Sequence, residues 1–356
     1  MGEKAILCGY YGKGNGGDEA LLATLLQMLP EQVQPIVLSG NPQETYGRYG
    51  VESCDRNSAF ALWDACQQAD YLIWGGGSLM QDVTSWASPI YYGGVMGFAQ
   101  QQGLKAIAWG QGIGPLRQSW SRWLTRRCLQ RATAVSVRDR SSAELLQHWQ
   151  IPGWLAPDPV WALESEPVPG LWDLPAPRVA VALRSHPWLT PDRLTLLGQA
   201  LQDFQRTSQT HILLVPFQPV ADRGIAQTLH QQLPDHSTIL TLTEPRQLKG
   251  VFRGVEMVIA MRLHALIMGA AEGCRCLGLS YDPKVEYLLA SLNQPGWDLN
   301  PQPSGTLAPL PSTARDLSRA WLEHYVNGDP LSTDRISALV DRAYLHQELL
   351  KEVLRR

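Results

Sequence analysis

The tripeptide Arg262-Leu263-His264 combines residue types and a spacing that could do chemistry. It follows an apolar run, Val255 to Ala260, that is typical of a buried strand. Alternation along a strand would point the arginine and histidine side chains the same way at the strand end, where open α/β sheets bind ligands. A guanidinium binds carboxylate or phosphate as a fork, and an imidazole can transfer protons near neutral pH. The tripeptide predicts chemistry on a small anion; the simpler interpretation is a capping arginine above a packed histidine.

Basic residues recur after other predicted strands. Arg138 follows the apolar segment 134–137, Arg184 follows the segment 179–183, and Lys284 lies at the start of a predicted helix. The carboxyl ends of parallel strands meet at one edge of a sheet, so several basic groups there would form a pocket for a compact polyanion. The alternative is that these side chains are solvated or paired with neighbouring acids.

Three glycine-rich turns follow predicted strands in the first half of the chain, at 9–18, 75–82 and 110–115. Glycines allow a substrate to approach the backbone, and polar side chains beside them can hydrogen-bond hydroxyl groups. Tight strand-to-helix turns with aspartate caps are the simpler interpretation. The residues of these turns that are available to a substrate are Gly14, Asn15, Asp18, Gly76, Gly77, Gln81, Asp82 and Gln111.

The first turn also matches the dinucleotide pattern Gly-x-Gly-x-x-Gly at Gly12, Gly14 and Gly17. That pattern expects an acidic residue about twenty positions later, to bind the ribose. The second predicted strand ends instead in Ser39-Gly40-Asn41, and Asp18 would repel a pyrophosphate at the helix start. The sequence therefore argues against NAD.

Composition narrows the class of protein. A length of 356 residues predicts two domains, and 44% hydrophobic with 18% charged residues is typical of a soluble globular protein. The net charge of −3 argues against nucleic acid binding. Signal-peptide and membrane-spanning patterns are absent, and six scattered cysteines fit the reducing cytoplasm. No metal is expected, since zinc-site spacing and Asp-x-Asp are both missing.

Strands alternate with helices along most of the chain, which predicts an α/β fold with parallel, doubly wound sheets. A proline-rich stretch marks a domain boundary. We predict an N-terminal Rossmann-like domain at 1–160, a linker at 161–177, a C-terminal Rossmann-like domain at 178–311 and C-terminal helices at 312–356. The two domains would face a cleft, with ligands between them.

Seven motifs between residues 9 and 285 resemble those of the polysaccharide pyruvyl transferases, in particular the CsaB type: GYYGKGNGGDEALL, GGGSLMQD, GQGIGPL, SVRDRSS, PDPV, AMRLHALI and SYDPKV. The resemblance implies a glycosyltransferase-B-like fold. It also implies transfer of pyruvate from phosphoenolpyruvate onto a sugar as a cyclic ketal, typically on N-acetylmannosamine of a cell-wall glycan. Such modified polymers can anchor surface-layer proteins.

The residue chemistry fits this donor, whose carboxylate and phosphate suit two or more arginine forks. We predict that His264 transfers protons and that Arg262 and Arg138 are catalytic partners. The residues predicted to bind phosphoenolpyruvate are Arg138, Arg262, Leu263, Arg184 and Lys284. The donor would lie on the C-terminal domain, and the resemblance implies that the eight residues of the glycine-rich turns named above bind the acceptor sugar on the N-terminal domain. No cofactor is expected, because phosphoenolpyruvate carries its own leaving group.

The acceptor would be a sugar or a lipid-linked glycan, and a lipid-linked one implies peripheral association with the inner face of the membrane. The sequence predicts no strongly amphipathic basic helix that would support this association. Two alternatives stay open: a nucleotide-sugar-dependent glycosyltransferase or epimerase of the same fold, and a non-catalytic glycan-binding protein. The latter would keep the glycine turns without needing His264.

Overall fold

The computed structural model describes residues 2–83, 85–302 and 305–354 and divides the chain into two compact units. Unit 1 comprises Met1–Leu163 and Ala338–Arg356, and unit 2 comprises Glu164–Ser337. The stretch 161–177 is divided between them; it contains the end of the 3₁₀ helix Pro159–Ala162 and the whole of a second one, Leu171–Asp173. Residues 1, 84, 303–304 and 355–356 of the predicted domain ranges lie outside the described residues.

Unit 1 contains a seven-stranded parallel sheet in the order β3-β2-β1-β4-β5-β6-β7. Its strands are β1 (Lys4–Cys8), β2 (Gln34–Ser39), β3 (Glu52–Asp55), β4 (Tyr71–Trp74), β5 (Lys105–Gln111), β6 (Ala134–Val137) and β7 (Trp154–Leu155). Helices cover both faces, so the central strands are buried and read as continuous apolar runs. The helices between these strands are α1 (Gly16–Met28), α2 (Pro42–Tyr49), α3 (Ala59–Gln68), α4 (Ala87–Gln101), α5 (Ser119–Gln130) and α6 (Arg140–His148).

Unit 2 contains a second seven-stranded parallel sheet, in the order β10-β9-β8-β11-β12-β13-β14. Its strands are β8 (Arg178–Ala182), β9 (His211–Leu214), β10 (Ser237–Ile239), β11 (Met257–Ala260), β12 (Arg275–Ser280), β13 (Gly296–Asp298) and β14 (Ala308–Pro309). Its helices are α7 (Pro191–Ser208), α8 (Pro219–Gln232), α9 (Pro245–Gly250), α10 (Leu263–Ala271), α11 (Pro283–Leu292) and α12 (Ala314–Asn327). The core of unit 2 includes Phe204 of α7 and Trp321 of α12.

The last part of the chain forms two further helices after α12. They are α13 (Thr333–Ala343) and α14 (Leu345–Leu354), and α14 belongs to unit 1. Leu349, Leu350 and Leu354 of α14 are buried. The segment 312–356 therefore supplies α12 to the core of one unit and α14 to the other.

The two parallel sheets with alternating helices confirm the predicted α/β fold class of two Rossmann-like domains. Strand order reverses between β1 and β4 in unit 1 and between β8 and β11 in unit 2. In open parallel sheets the carboxyl ends of the strands at such a reversal are the usual place for a ligand. Among the described residues, no helix is long and apolar enough to cross a membrane.

Candidate functional site

Arg262 lies at the strand-order reversal of unit 2. It follows Met261, which is the first residue after β11, and it is the N-cap residue of α10. Ala260 of β11 pairs with Ala182 of β8, so Arg262 and Arg184 both lie two residues beyond aligned positions in neighbouring strands. The sheet thus brings these two predicted donor residues to the same edge.

The Arg262 guanidinium forms an ion pair with Asp222 in the first turn of α8. Nε donates to Oδ2 at 3.1 Å, and Nη2 donates to Oδ1 at 2.7 Å and to Oδ2 at 2.6 Å. The two side chains are only 8% and 1% exposed. Oδ2 of Asp222 also accepts the backbone N–H of Gln218 at 3.0 Å, which fixes the carboxylate. Nη1 of Arg262 donates to none of the described residues, so one edge of a rigidly held guanidinium is available for an anion.

Arg184 is held by Tyr281, which follows β12. Its Nη1 donates to the tyrosine hydroxyl at 2.6 Å, and the guanidinium carbon lies 4.7 Å from the ring centroid. The His186 ring centroid lies 4.8 Å from that of Tyr281, and its Nδ1 accepts the backbone N–H of Trp188 at 3.2 Å. Burial lowers the pKa of His186, and the charge of Arg184 lowers it further. Tyr281 was not predicted as a site residue, although the SYDPKV motif contains it.

The remaining donor candidates lie at the starts of two helices in unit 2. Leu263 and His264 are the first two residues of α10, and both are half-buried. Lys284 is the second residue of α11 and is half-buried too; its backbone N–H donates to the Asp282 carboxylate at 3.0 Å. Strands β8, β11 and β12 are neighbours, so the segments that follow them carry Arg184, Arg262, His264 and Lys284 along one edge.

Arg138 lies in unit 1, immediately after β6. Its Nη1 donates to Asp158 at 2.5 Å, and the two side chains are each 6% exposed. Its Nη2 donates to the Ser78 hydroxyl at 3.0 Å. A Cβ at Gly112 would lie 2.9 Å from Nε of Arg138, so the third glycine turn leaves space for this guanidinium. Like Arg262, Arg138 is oriented by a buried carboxylate that the sequence analysis did not assign to the site.

His346 of α14 contacts Ser136 and Pro157, which are close in sequence to Arg138 and Asp158. Its Nε2 is 2.9 Å from the Pro157 carbonyl, which can only accept, so Nε2 carries the proton. Nδ1 therefore accepts from the Ser136 hydroxyl at 2.9 Å, and the Ser136 oxygen accepts the N–H of Gly110 at 2.9 Å. Burial lowers the pKa of His346 to about 4, although the hydrogen bond to Pro157 acts to raise it. The imidazole is therefore neutral at ordinary pH and joins three segments of unit 1.

Four of the predicted acceptor residues lie together at the start of α1. Nδ2 of Asn15 donates to Asp18 at 2.5 Å, while its Oδ1 accepts the N–H of Gly17 at 3.2 Å. A Cβ at Gly77 would lie 3.5 Å from Oδ1 of Asp18. Gly14 has a left-handed φ of +65°, is exposed, and has no atom within 4 Å of a Cβ position. This group leaves open space beside two polar side chains.

Two other predicted acceptor side chains are used inside unit 1. Gln111 is buried, and its Nε2 lies 3.1 to 3.3 Å from the carbonyls of Trp74, Gly75 and Trp109. Gly76 is buried as well, and a Cβ there would lie 2.6 Å from the Leu21 side chain. Close packing against Leu21 therefore explains the glycine at position 76. We predicted that the amide of Gln111 would bind a sugar hydroxyl, but it binds backbone carbonyls at the ends of strands.

Asp82, in the turn after β4, holds the segment that leads into α5. Its carboxylate accepts the backbone N–H groups of Arg117 and Gln118, each at 2.8 Å, and the hydroxyl of Ser121 at 2.5 Å. Burial raises the pKa of Asp82, but these hydrogen bonds outweigh it and the pKa lies below its usual value. Gln81 accepts the N–H of Val83 at 2.9 Å. These three hydrogen bonds explain Asp82 without a sugar.

Glu19 is a buried acid that the sequence analysis missed. It is 2% exposed, and its carboxylate accepts the N–H of Gly12 at 2.8 Å and lies 3.6 Å from Nη1 of Arg48. Burial raises the pKa of Glu19 to about 7, against the opposing charge of Arg48. The sequence did contain a sign of this buried acid, because Glu19 lies directly before the apolar run of α1.

The side chain of Tyr11 occupies the space that a side chain at Gly9 or Gly75 would need, which explains one glycine in each of the first two turns. A Cβ at Gly9 would lie 2.3 Å from the tyrosine ring, and one at Gly75 would lie 1.8 Å from its hydroxyl. The ring is fully buried, and its hydroxyl has no hydrogen-bond partner among the described residues. The glycines at 9 and 75 therefore admit an aromatic ring of the protein itself.

Solved structures with the same arrangement of elements define the fold. A UDP-GlcNAc 2-epimerase from Neisseria meningitidis bound to UDP-GlcNAc matches with a TM-score of 0.62 and 9% identity, over 99% of this chain and 100% of that chain. The S. aureus MnaA-UDP co-structure matches with a TM-score of 0.65 and 9% identity, over 99% and 96%. A putative UDP-N-acetylglucosamine 2-epimerase from Listeria monocytogenes matches with a TM-score of 0.63 and 12% identity, over 99% and 96%. Identities this low establish the fold alone, which is glycosyltransferase-B-like.

Sequence comparison identifies the family. The model of the polysaccharide pyruvyl transferase family matches residues 15–283, which is most of the chain and includes Arg138, Arg184, Arg262 and His264. The chain belongs to the polysaccharide pyruvyl transferase family, a family of transferases of polysaccharide biosynthesis. No curated protein matches the sequence.

Proposed function

We propose that this protein transfers a pyruvyl group from phosphoenolpyruvate to a sugar of a cell-wall or extracellular polysaccharide precursor, forming a cyclic ketal and releasing phosphate. Membership of the family supports the reaction class. The observation that carries the proposal is the row of Arg184, Arg262, His264 and Lys284 along one edge of the unit 2 sheet.

The chemistry of the donor fits this row. Phosphoenolpyruvate presents a carboxylate and a phosphate within a few ångströms, and oriented guanidinium groups bind such anions with geometric specificity. Asp222 binds Nε and Nη2 of Arg262, and we assign Nη1 to the donor anion, while Tyr281 holds one edge of Arg184. Lys284 adds a point charge suited to phosphate. Arg138 remains a proposed donor residue, and the backbone at Leu263 completes the proposed set.

The reaction needs protons moved at defined atoms. One sugar hydroxyl oxygen bonds to the enol carbon C2 and loses its proton, while the methylene carbon C3 gains a proton and becomes a methyl group. A second hydroxyl oxygen then bonds to C2 and loses its proton as the C2–O bond to phosphate breaks, and phosphate takes the electron pair. We assign proton transfer to His264, because an imidazole can serve as acid and base at neutral pH, typically contributing ~10²–10⁴-fold. No organic cofactor is required for these steps.

The acceptor is proposed to bind in unit 1 beside Gly14, Asn15, Asp18 and Gly77. Asn15 and Asp18 can hydrogen-bond two hydroxyls, and the open space at Gly14 admits a ring. N-acetylmannosamine, the acceptor implied by the CsaB resemblance, is the first sugar to test.

The direct test is phosphate release from phosphoenolpyruvate in the presence of N-acetylmannosamine glycosides, with product mass checked for an added pyruvyl ketal. We compare wild type, His264→Ala, and His236→Ala as a matched control, since His236 is exposed on the same unit. Acceptor-dependent release that is lost in His264→Ala and kept in His236→Ala would support the proposal. Turnover of a nucleotide sugar in place of phosphoenolpyruvate would support a glycosyltransferase. Binding of glycan without turnover of any donor would support a non-catalytic protein.

A further inference from the structure

Helix α5 of unit 1 exposes arginines and tryptophans on one surface. We define the α5 surface as Trp120, Arg122, Trp123, Arg126 and Arg127, all of which are exposed. Trp120 is 39% exposed and Trp123 is 62% exposed. The guanidinium carbon of Arg127 lies 5.8 Å from the centroid of the Trp123 ring. The opposite side of the helix, with Thr125, Cys128 and Leu129, is buried in unit 1.

The charge of this region has one sign. The sequence from Val83 to Arg138 contains no aspartate or glutamate, and its basic residues are Lys105, Arg117, Arg122, Arg126, Arg127, Arg131 and Arg138. Within the described parts of the chain, no salt bridge involves any of the arginines between 117 and 131. The whole chain carries a net charge of −3, so the positive charge is concentrated locally.

Neighbouring helix α4 adds exposed apolar side chains. Trp86, at the N-cap of α4, is 69% exposed, and Ile90 in its first turns is 50% exposed. The two helices pack directly, because a Cβ at Gly93 of α4 would lie 2.9 Å from the Leu124 side chain of α5. Large apolar groups beside unpaired cations are the composition of a surface that lies in a lipid headgroup region.

The surface begins near the edge of the sheet that carries the proposed acceptor residues. Helices that follow parallel strands start near the carboxyl edge of the sheet. Asp82, in the turn after β4, accepts the N–H groups of Arg117 and Gln118 at the start of α5. A side chain that we predicted to bind sugar therefore fixes the α5 surface within unit 1.

We propose that the α5 surface docks the protein on a membrane of anionic phospholipid. Arginines near such a surface are attracted by its negative potential, and tryptophans are enriched at the membrane–water interface. The sequence predicts no such helix; in the structure Thr125, Cys128 and Leu129 of α5 are buried, while its arginines and tryptophans are exposed. The inference goes beyond the proposed reaction and would bring unit 1 to a lipid-linked acceptor.

The test is co-sedimentation of the full chain with vesicles of phosphatidylcholine alone or mixed with phosphatidylglycerol. We expect binding to the mixed vesicles that weakens as salt increases. The variants Arg122→Glu/Arg126→Glu/Arg127→Glu and Trp120→Ser/Trp123→Ser should each lower the partition coefficient by about tenfold or more. The matched control is Phe60→Ser/Trp63→Ser on α3, an exposed aromatic pair of unit 1, which should bind as wild type does.

Three outcomes would overturn the inference: no binding to either vesicle, equal loss in the α3 control, or α5 variants that bind as wild type does. Tighter binding to an RNA oligonucleotide than to mixed vesicles would assign the surface to nucleic acid instead. The assay contains no phosphoenolpyruvate, so it is independent of the proposed reaction. The α5 variants should keep wild-type phosphate release with a water-soluble acceptor, which shows that they are folded.

Discussion

Arg262 and Asp222 are joined by a forked contact in which both carboxylate oxygens meet the guanidinium at 2.6 and 2.7 Å, with a further contact at 3.1 Å. The pair connects the start of α8 to the turn between β11 and α10. Both groups are nearly excluded from water, so each depends on the other for charge compensation. Asp222 is therefore a positioning residue for the proposed donor site.

Removing Asp222 should reveal this dependence. Asp222→Ala leaves a buried, unpaired guanidinium and should lower the free energy of unfolding by about 3–5 kcal/mol. Arg262→Met in the same chain removes the stranded charge, so the double variant should regain much of that stability while phosphate release stays lost. Urea titration and the phosphate assay measure the two effects. A double variant no more stable than Asp222→Ala would show that the carboxylate acts through other contacts.

Arg138 should require its forked geometry as well as its charge. A lysine at this position keeps the charge, but a single ammonium cannot reach both Asp158 and Ser78 as two guanidinium nitrogens do. Arg138→Lys should lower kcat/KM for phosphate release on the order of 10²-fold, the scale expected for a misplaced group. The matched control is Arg140→Lys, where the arginine is 89% exposed and pairs with Glu144. Equal activities in the two variants would remove Arg138 from the site.

The acid beneath the first glycine turn predicts a pH dependence of stability. The pKa of Glu19 is about 7 in the folded chain, against an ordinary value of 4.5. The folded state holds this proton to higher pH than the unfolded state does, so the contribution of Glu19 to the free energy of unfolding should fall by about 3 kcal/mol as pH rises from about 4.5 to about 7. Because His346 contributes with the opposite sign over an overlapping range, the difference from wild type is the test. The free energy of unfolding of Glu19→Gln should rise more steeply with pH than that of wild type, as measured by urea titration at both ends of the range. The control Glu31→Gln, at an exposed position, should titrate like wild type.

His346 predicts the opposite slope over a similar range. Its folded-state pKa is about 4, against an ordinary value of 6.5. The unfolded chain therefore binds a proton that the folded chain does not bind, and the contribution of His346 to the free energy of unfolding should fall by about 3 kcal/mol as pH drops from about 6.5 to about 4. Over this range His346→Gln should lose less stability toward acid than wild type does, whereas His148→Gln, at an exposed position, should follow wild type. An unchanged acid limb in His346→Gln would mean that other groups drive the acid sensitivity.

Local patterns in the sequence predicted the strands that carry the site. The apolar run before Arg262 is β11, and the segment before Arg138 is β6, because strands covered on both faces must be apolar throughout. Helix α4 was missed, since Pro89 and three glycines obscure its helical pattern.

The partners of these arginines could not be predicted from the sequence. Asp222 precedes Arg262 by 40 positions and looks like an ordinary acid in a first helical turn, which is favoured there whatever it contacts. Gln111 and Asp82 were predicted to meet a ligand because they follow strands, but the same position also lets a side chain satisfy main-chain groups of adjacent turns. Whether a polar side chain at a strand end faces solvent or its own backbone depends on packing across several elements.

The return of α14 to unit 1 has a consequence for synthesis of the chain. Ser136, the Pro157 carbonyl and the indole N–H of Trp109 each have their partner in His346, which the ribosome adds only after all of unit 2. At ordinary elongation rates this is a delay of roughly 10–40 s after residue 163. During that interval the nascent first sheet exposes the buried surface that α14 later covers, and it is then open to chaperones or to premature aggregation. A circular permutant that places 338–356 ahead of residue 1 would shorten the wait and allow unit 1 to be completed first.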